Sequence, residues 1–207
     1  MCTRYYMEMS PELRPIIEEA KQASLTRRMV HHLGKAFKTE GEIRPTDMVP
    51  VIAPDASGKR SVFPMVWGFS IEGIRQPIVN ARVESARNKV TFKESWQRRR
   101  CVIPAAYYFE WSHIQSGGKL RTGDKYAIQP AGSSAAWFAG LYRIEEGHMG
   151  FHYPVFTILT KDAVPELRKI HDRMPVMIDK ADIDAWIRPE AVPKGLRALS
   201  DMVAEKV

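Results

Sequence analysis

The sequence predicts an α+β fold: a single domain with a curved, barrel-like, mainly antiparallel β core and a few peripheral helices. Three observations lead there. From Ile43 onward the chain breaks into many short segments rich in β-branched and aromatic residues, cut by Pro and Gly. Helical periodicity is confined to a few stretches, with no regular βαβ alternation, which argues against a doubly wound sheet. At 207 residues the chain suits one domain, 1–207, with a substantial core.

The elements follow in order. Residues from about 11 to 37 read as helix, with Leu13, Ile16, Ile17, Ala20, Leu25, Met29 and Leu33 near helical spacing. Ser10 before Pro11 suits the start and Gly34 the stop, while Pro15 pushes the start later. Strands are expected in residues 48–54, 60–70, 77–83, 100–111, 125–130, 134–144 and 152–160. Turns are expected at 55–59, 116–119 and 145–150, where Gly recurs. Helical interruptions are expected at 85–99, 163–170 and 181–187, the last with Asp179 as its cap, and a further helix at 193–206.

Composition narrows the classes. Basic residues number 31 against 24 acidic, a net charge of +7, which permits a nucleic-acid partner without requiring one. Arg98, Arg99 and Arg100 form the one tight basic cluster along the chain. No apolar run reaches the length of a membrane span, and the first fifteen residues lack the apolar stretch of a secretory signal. A cytoplasmic monomer is the expectation. The two cysteines, Cys2 and Cys101, form no CxxC pair, so neither structural zinc nor a thiol-redox motif is expected. His148 and His152 are four residues apart but flank Gly150, which places them in a turn and not on a helix. No metal and no cofactor are expected. His31 and His32 fall near a helix end, where the dipole accounts for them.

Four segments carry chemistry. Removal of Met1 would expose the Cys2 α-amine beside its thiol, a 1,2-aminothiol. An α-amine has a reference pKa of about 7.7–8.0 against about 10.4 for lysine, so near neutrality it offers far more free base for imine formation. The thiol, near about 8.5, would then close a five-membered thiazolidine ring from an accessible thiolate fraction. An incidental N-terminal cysteine is the plain alternative. His171 precedes Asp172, Arg173, Met174 and Pro175, so it falls on a loop after a helix, where it would shuttle protons, or merely cap that helix or pair with Asp172. Glu110, between Phe109 and Trp111, is either a desolvated acid–base group or the solvent-facing member of an alternating strand. Asn80 and Arg82 share one face of a strand, where an amide suits a sugar and a guanidinium a phosphate, unless that face is simply solvated.

Taken together these segments resemble the SRAP family of abasic-site-processing domains. The resemblance rests on Met1-Cys2-Thr3-Arg4-Tyr5, Met65-Val66-Trp67-Gly68, Asn80-Ala81-Arg82, Arg100-Cys101-Val102-Ile103-Pro104-Ala105, Phe109-Glu110-Trp111 and His171-Asp172-Arg173-Met174-Pro175, in that order over about residues 1–190. It implies an abasic-site sensor for single-stranded DNA that forms a thiazolidine crosslink through Cys2, with strand-cleaving lyase chemistry as an accompaniment and association with the nucleoid when bound. It further implies that Glu110 moves protons during ring opening and closure, and that His171 assists the Schiff base. Asn80 would orient nucleophile and sugar, Arg4, Arg82 and Arg173 hold phosphates, Trp67 stack or wedge against a base, and Thr160 stand near the site.

The chain departs from the family pattern at Thr3, where Gly is usual, at Ala106 and Tyr107 before the aromatic pair, and after Trp186. None removes a reacting group. Two rival functions remain: a cysteine peptidase-like hydrolase, including self-removal of Met1, built on Cys2, His171 and Glu110; and a noncovalent single-strand-binding module.

Overall fold

Strand β1 (Arg4–Met7) leads into two helices, α1 (Arg14–Gln22) and α2 (Ser24–Leu33), where the sequence predicts one. The computed structural model describes residues 2–116, 118–188 and 201–207. Residues 10–13 form a turn closed on the Ser10 carbonyl, so α1 begins at Arg14. Pro15 then sits in the first turn, where no N–H is needed. Ala23 is extended (φ −59°, ψ 131°) and divides the two helices. Gly34, left-handed at φ 60°, ends α2.

The remaining elements are β2 (Gly41–Ile43), β3 (Met48–Pro54), β4 (Arg60–Trp67), β5 (Phe69–Ile71), β6 (Ile74–Ile78), β7 (Asn80–Arg82), α3 (Val83–Ala86), α4 (Val90–Arg98), β8 (Arg100–Ala105), β9 (Tyr107–Ser116), β10 (Lys119–Pro130), β11 (Ala136–Glu146), β12 (His152–Asp162), β13 (Arg173–Pro175), α5 (Ile183–Ile187) and β14 (Met202–Lys206). The helix expected over 85–99 is thus two helices. That expected over 163–170 contracts to a 3-10 turn at Pro165–Leu167. Asp179 does cap the turn before α5, accepting from the Ala181 N–H at 2.9 Å. The C-terminal expectation needs correction at residues 202–206, which form a strand paired with β10; residues 193–200 lie outside the described residues.

Five strands close a barrel in the order β11-β8-β3-β4-β12, with β12 returning to pair β11. The fold is therefore α+β, with the curved β core expected from the sequence. Strand β8 is buried along its whole length and β3 along all but its last residue. That matches their continuous apolar runs, as in strands covered on both faces. A second sheet, β14-β10-β9-β1-β2, packs beside the barrel. Two pairings are parallel: β4 and β7 both lie along one edge of β12.

Two features position the candidate site. Gly68, at φ 122°, turns the chain after Trp67; an added Cβ there would lie 2.6 Å from Pro77 Cβ. The turn sends the chain through the β5–β6 ribbon and back to β7. Strand β12 then draws β7 and β13 together: Thr160 lies opposite Arg82 on one edge and opposite Pro175 on the other. In the second sheet Arg4 of β1 faces Phe109 of β9, which brings Cys2 to the level of Glu110 and Trp111.

Candidate active site

Cys2 is buried at 1% exposure, with its thiol donating to the Arg4 carbonyl at 3.6 Å. Its carbonyl accepts from Asn80 Nδ2 at 2.8 Å, across 78 residues of chain. The other amide atom, Asn80 Oδ1, is buried with no hydrogen-bond partner among the described residues. Burial pushes the Cys2 thiol well above its ordinary range, and the nearby Glu110 carboxylate pushes it further. Both influences disfavour the accessible thiolate expected from the reference value, because a thiol desolvated beside a carboxylate holds its proton more tightly.

Glu110 points inward at 5% exposure, which settles its orientation against the solvated alternative. Its Oε1 accepts from the Trp111 N–H at 3.4 Å. His171 stands close enough to Glu110 for that carboxylate to raise its pKa, yet burial is the larger influence and the net direction is downward. The imidazole Nδ1 lies 2.7 Å from Asp172 Oδ1 and 3.0 Å from the Arg173 backbone N–H. One atom cannot donate to the first and accept from the second at once. With the proton on Nδ1, Asp172 accepts a hydrogen bond from it and Nε2 carries the basic lone pair; with Nδ1 unprotonated, it accepts from the Arg173 N–H and the proton stands on Nε2 as a donor. Both tautomers have a partner, which is what a proton shuttle requires.

Thus Cys2, Asn80, Glu110 and His171, from four separate segments, meet in one place. The binding residues fare differently. Arg82 is exposed beside Asn80, on the strand face predicted for a phosphate. Arg4 is partly exposed and pairs with Glu42 at 3.0 Å. Thr160 is buried, and its carbonyl accepts from Arg173 Nη2 at 2.8 Å.

Trp67 and Arg173 are both buried. Trp67 is 0% exposed; its ring packs against Tyr5 and Phe156, and its indole N–H donates to the Val79 carbonyl at 3.0 Å. It has no face to offer a base. Arg173 is 7% exposed, with both Nη atoms 2.9 Å from the Glu84 carboxylate and Nη1 also on Asp162. This bidentate clamp joins α3, β12 and β13 and engages both Nη atoms within the protein.

Two features carry no plain signal in the sequence. His113, on β9, lies with its ring 5.1 Å from that of His171, a proximity between distant segments that no local pattern marks. Glu42 accepts from Arg4, Arg44 and Lys125 together. Alternation in Gly41-Glu42-Ile43-Arg44 hints at a shared face, but Lys125 lies 83 residues away. Among the described residues no group of three or more His, Cys, Asp or Glu side chains stands ready to hold a metal ion, and no helix is long and apolar enough to cross a membrane.

Comparison with known proteins adds to this geometry. Residues 1–207 match the family described as SOS response associated peptidase (SRAP). The abasic site processing protein YoaM of Bacillus subtilis (strain 168) is 29% identical over 159 residues, covering 74% of this chain and 68% of that protein. The abasic site processing protein YedK of Escherichia coli (strain K12) is 31% identical over 130 residues, covering 61% and 55%. Among solved structures, a protein from Bacteroides thetaiotaomicron superposes with a TM-score of 0.73 at 18% identity, over all of this chain and 92% of that one. A phage-related protein from Bordetella bronchiseptica does so with 0.72 at 22%, over all of this chain and 94% of that one. These two likenesses show the fold.

Proposed function

The chain belongs to the SRAP family, and on that premise we propose that it processes abasic sites in single-stranded DNA by bonding to them covalently through Cys2 after loss of Met1. The relatives named abasic site processing proteins supply the substrate class. The observation that carries the chemistry is the hydrogen bond from Asn80 to the Cys2 carbonyl, which fixes the nucleophile beside Glu110 and His171.

The ring-opened sugar presents an aldehyde. The Cys2 α-amine attacks its carbon, a proton moves to the oxygen, and water leaves to give an imine. The thiol sulfur then bonds to the same carbon, its proton passing to nitrogen, and a thiazolidine results. In this reading Glu110 and His171 deliver and remove those protons. The imine is also the branch point for β-elimination and strand cleavage, and ring closure by the thiol withdraws it from that path. Because the thiol is held protonated by its surroundings, the amine is the better first nucleophile. This favours imine chemistry over a peptidase reading, which needs a thiolate.

The test is incubation with single-stranded DNA bearing one abasic site. Wild type is expected to yield an adduct that survives high salt and denaturant, at the mass of the chain without Met1. Cys2→Ala is expected to yield none. An adduct of equal yield from Cys2→Ala, or a linkage mapped to a lysine, would sink the proposal; a complex that salt dissolves would leave only noncovalent binding.

A further inference from the structure

Glu42 sits at the centre of an unusual arrangement on the outer side of the second sheet. Its Oε1 accepts from Arg4 Nη1 at 3.0 Å and from Arg44 Nε at 3.0 Å, and its Oε2 from Lys125 Nζ at 3.1 Å. Three cations from three parts of the chain thus converge on one carboxylate. Strand register explains it: Arg4 lies opposite Phe109, Glu42 opposite Tyr6, and Lys125 opposite Trp111, so neighbouring strands carry them side by side. Lys125 is further held by aromatic faces, its Nζ 3.5 Å from the centre of the Phe109 ring and 5.6 Å from that of Trp111.

The cluster adjoins the reacting cysteine. Arg4 is two residues from Cys2, and its own carbonyl accepts from the Cys2 thiol. Phe109 and Trp111 flank Glu110. The cations also keep donors in reserve. A guanidinium has five N–H donors and an ammonium three, and Glu42 takes one from each partner. Side-chain exposures of 32% for Arg4, 61% for Arg44 and 29% for Lys125 leave those donors open to solvent.

We infer that Arg4, Arg44 and Lys125 form a seat for a backbone phosphate of the single strand beside Cys2, and that Glu42 is the internal counter-charge that weakens this seat. The inference rests on the proposed reading for its polyanion. Ion pairs this exposed impose little geometry, so the dominant effect of the carboxylate is its charge. That charge is present throughout the neutral range: burial works to raise the Glu42 pKa, but hydrogen bonds from Lys125 and Arg44 outweigh it and hold the group below its ordinary value. A brake on noncovalent affinity suits a protein that captures its target by a bond. Undamaged strand is released quickly, whereas strand with an aldehyde is retained covalently whatever the noncovalent affinity.

The experiment measures binding of a fluorescent oligothymidylate without any abasic site across a salt series, for wild type, Glu42→Gln and Lys125→Gln. Glu42→Gln is expected to bind severalfold more tightly at low salt, with a log K against log salt slope steeper by about 0.7, the value for one more phosphate neutralised on a single strand. Lys125→Gln is expected to bind more weakly with a slope shallower by about 0.7. A slope is insensitive to the fraction of chain that is folded, so partial unfolding of a variant does not mimic either result. Unchanged slopes, or weaker binding with a shallower slope from Glu42→Gln, would overturn the inference. Adduct formation on an abasic strand is scored separately. Charge effects without an adduct sink the covalent reading and leave this seat standing; an adduct with flat slopes does the reverse.

Discussion

His171 illustrates how one side chain's surroundings decide what it can do. Burial lowers its pKa from the ordinary value of about 6.5, while Glu110 and Asp172 pull it upward and His113 downward. The unfolded chain therefore takes up a proton near pH 6.5 that the folded chain still refuses. Stability is full above that value and falls as pH drops from 6.5 toward the lower folded value, because protons there favour the unfolded state. Denaturation curves taken between pH 7.5 and 5.5 should show this loss for wild type, and His171→Gln should lose less over the same window. A variant that keeps the whole decline would place the titration on another group. The residues that line the candidate site are legible at this scale because each lies in a short segment with its own signature: Cys2 at the second position, Glu110 between two aromatics, His171 before a proline-bounded strand. The burial of Trp67 and Arg173 is not legible, for the same reason. A residue's type announces stacking or phosphate binding, but whether Trp67 faces solvent depends on Tyr5 and Phe156, which arrive from distant strands.

The site is held by junctions between elements, and Arg173 is the clearest. Its guanidinium spans Glu84 on α3, Asp162 and the Thr160 carbonyl on β12, and its own strand β13. The carboxylates are half or more exposed, at 50% for Glu84 and 79% for Asp162, so they regain water when the arginine is lost. Arg173→Met is therefore expected to cost roughly 1–3 kcal/mol, below the penalty for stranding a fully buried charge. Chemical denaturation would measure that loss. Its salt slope for single-stranded DNA should match wild type; a slope shallower by about 0.7 would return Arg173 to the phosphate contacts. Element types are mostly legible, because apolar alternation and punctuation by Pro and Gly are local signals. Errors fall where tertiary pairing overrides local preference. Residues 202–206 have a helical composition yet lie as a strand along β10, whose edge would otherwise be open.

At the scale of the whole molecule the barrel-like core is legible in the number and spacing of strands, but its closure is not. Parallel pairing of β12 with β4 and β7 joins residues far apart in sequence, and no local pattern marks it. Closure also depends on a position that looks incidental. Gly140 of β11 lies opposite Ile158 on β12 and opposite Cys101 on β8, between two seams of the barrel. A methyl group there would meet Ile103 Cδ1, the Thr157 carbonyl oxygen at 2.8 Å and Cys101 Sγ at 3.1 Å. Ile103 can change rotamer, but the Thr157 oxygen belongs to the backbone of β12 and moves only with its strand. Gly140→Ala is thus expected to destabilise by about 1–3 kcal/mol through overpacking. For a chain of this size that lowers Tm by roughly 2–12 °C. The same strand β12 aligns Asn80 and Arg82 through β7, so strain at Gly140 has a route to the site through β12. Two outcomes separate stability from chemistry: a lower Tm with an unchanged adduct rate at low temperature places the strain in the barrel wall alone, whereas a matching loss of rate shows that β12 carries it to Asn80. The rigid packing of β12 between β11 and its two parallel partners favours the first, and an unchanged Tm would contradict the close packing at this seam.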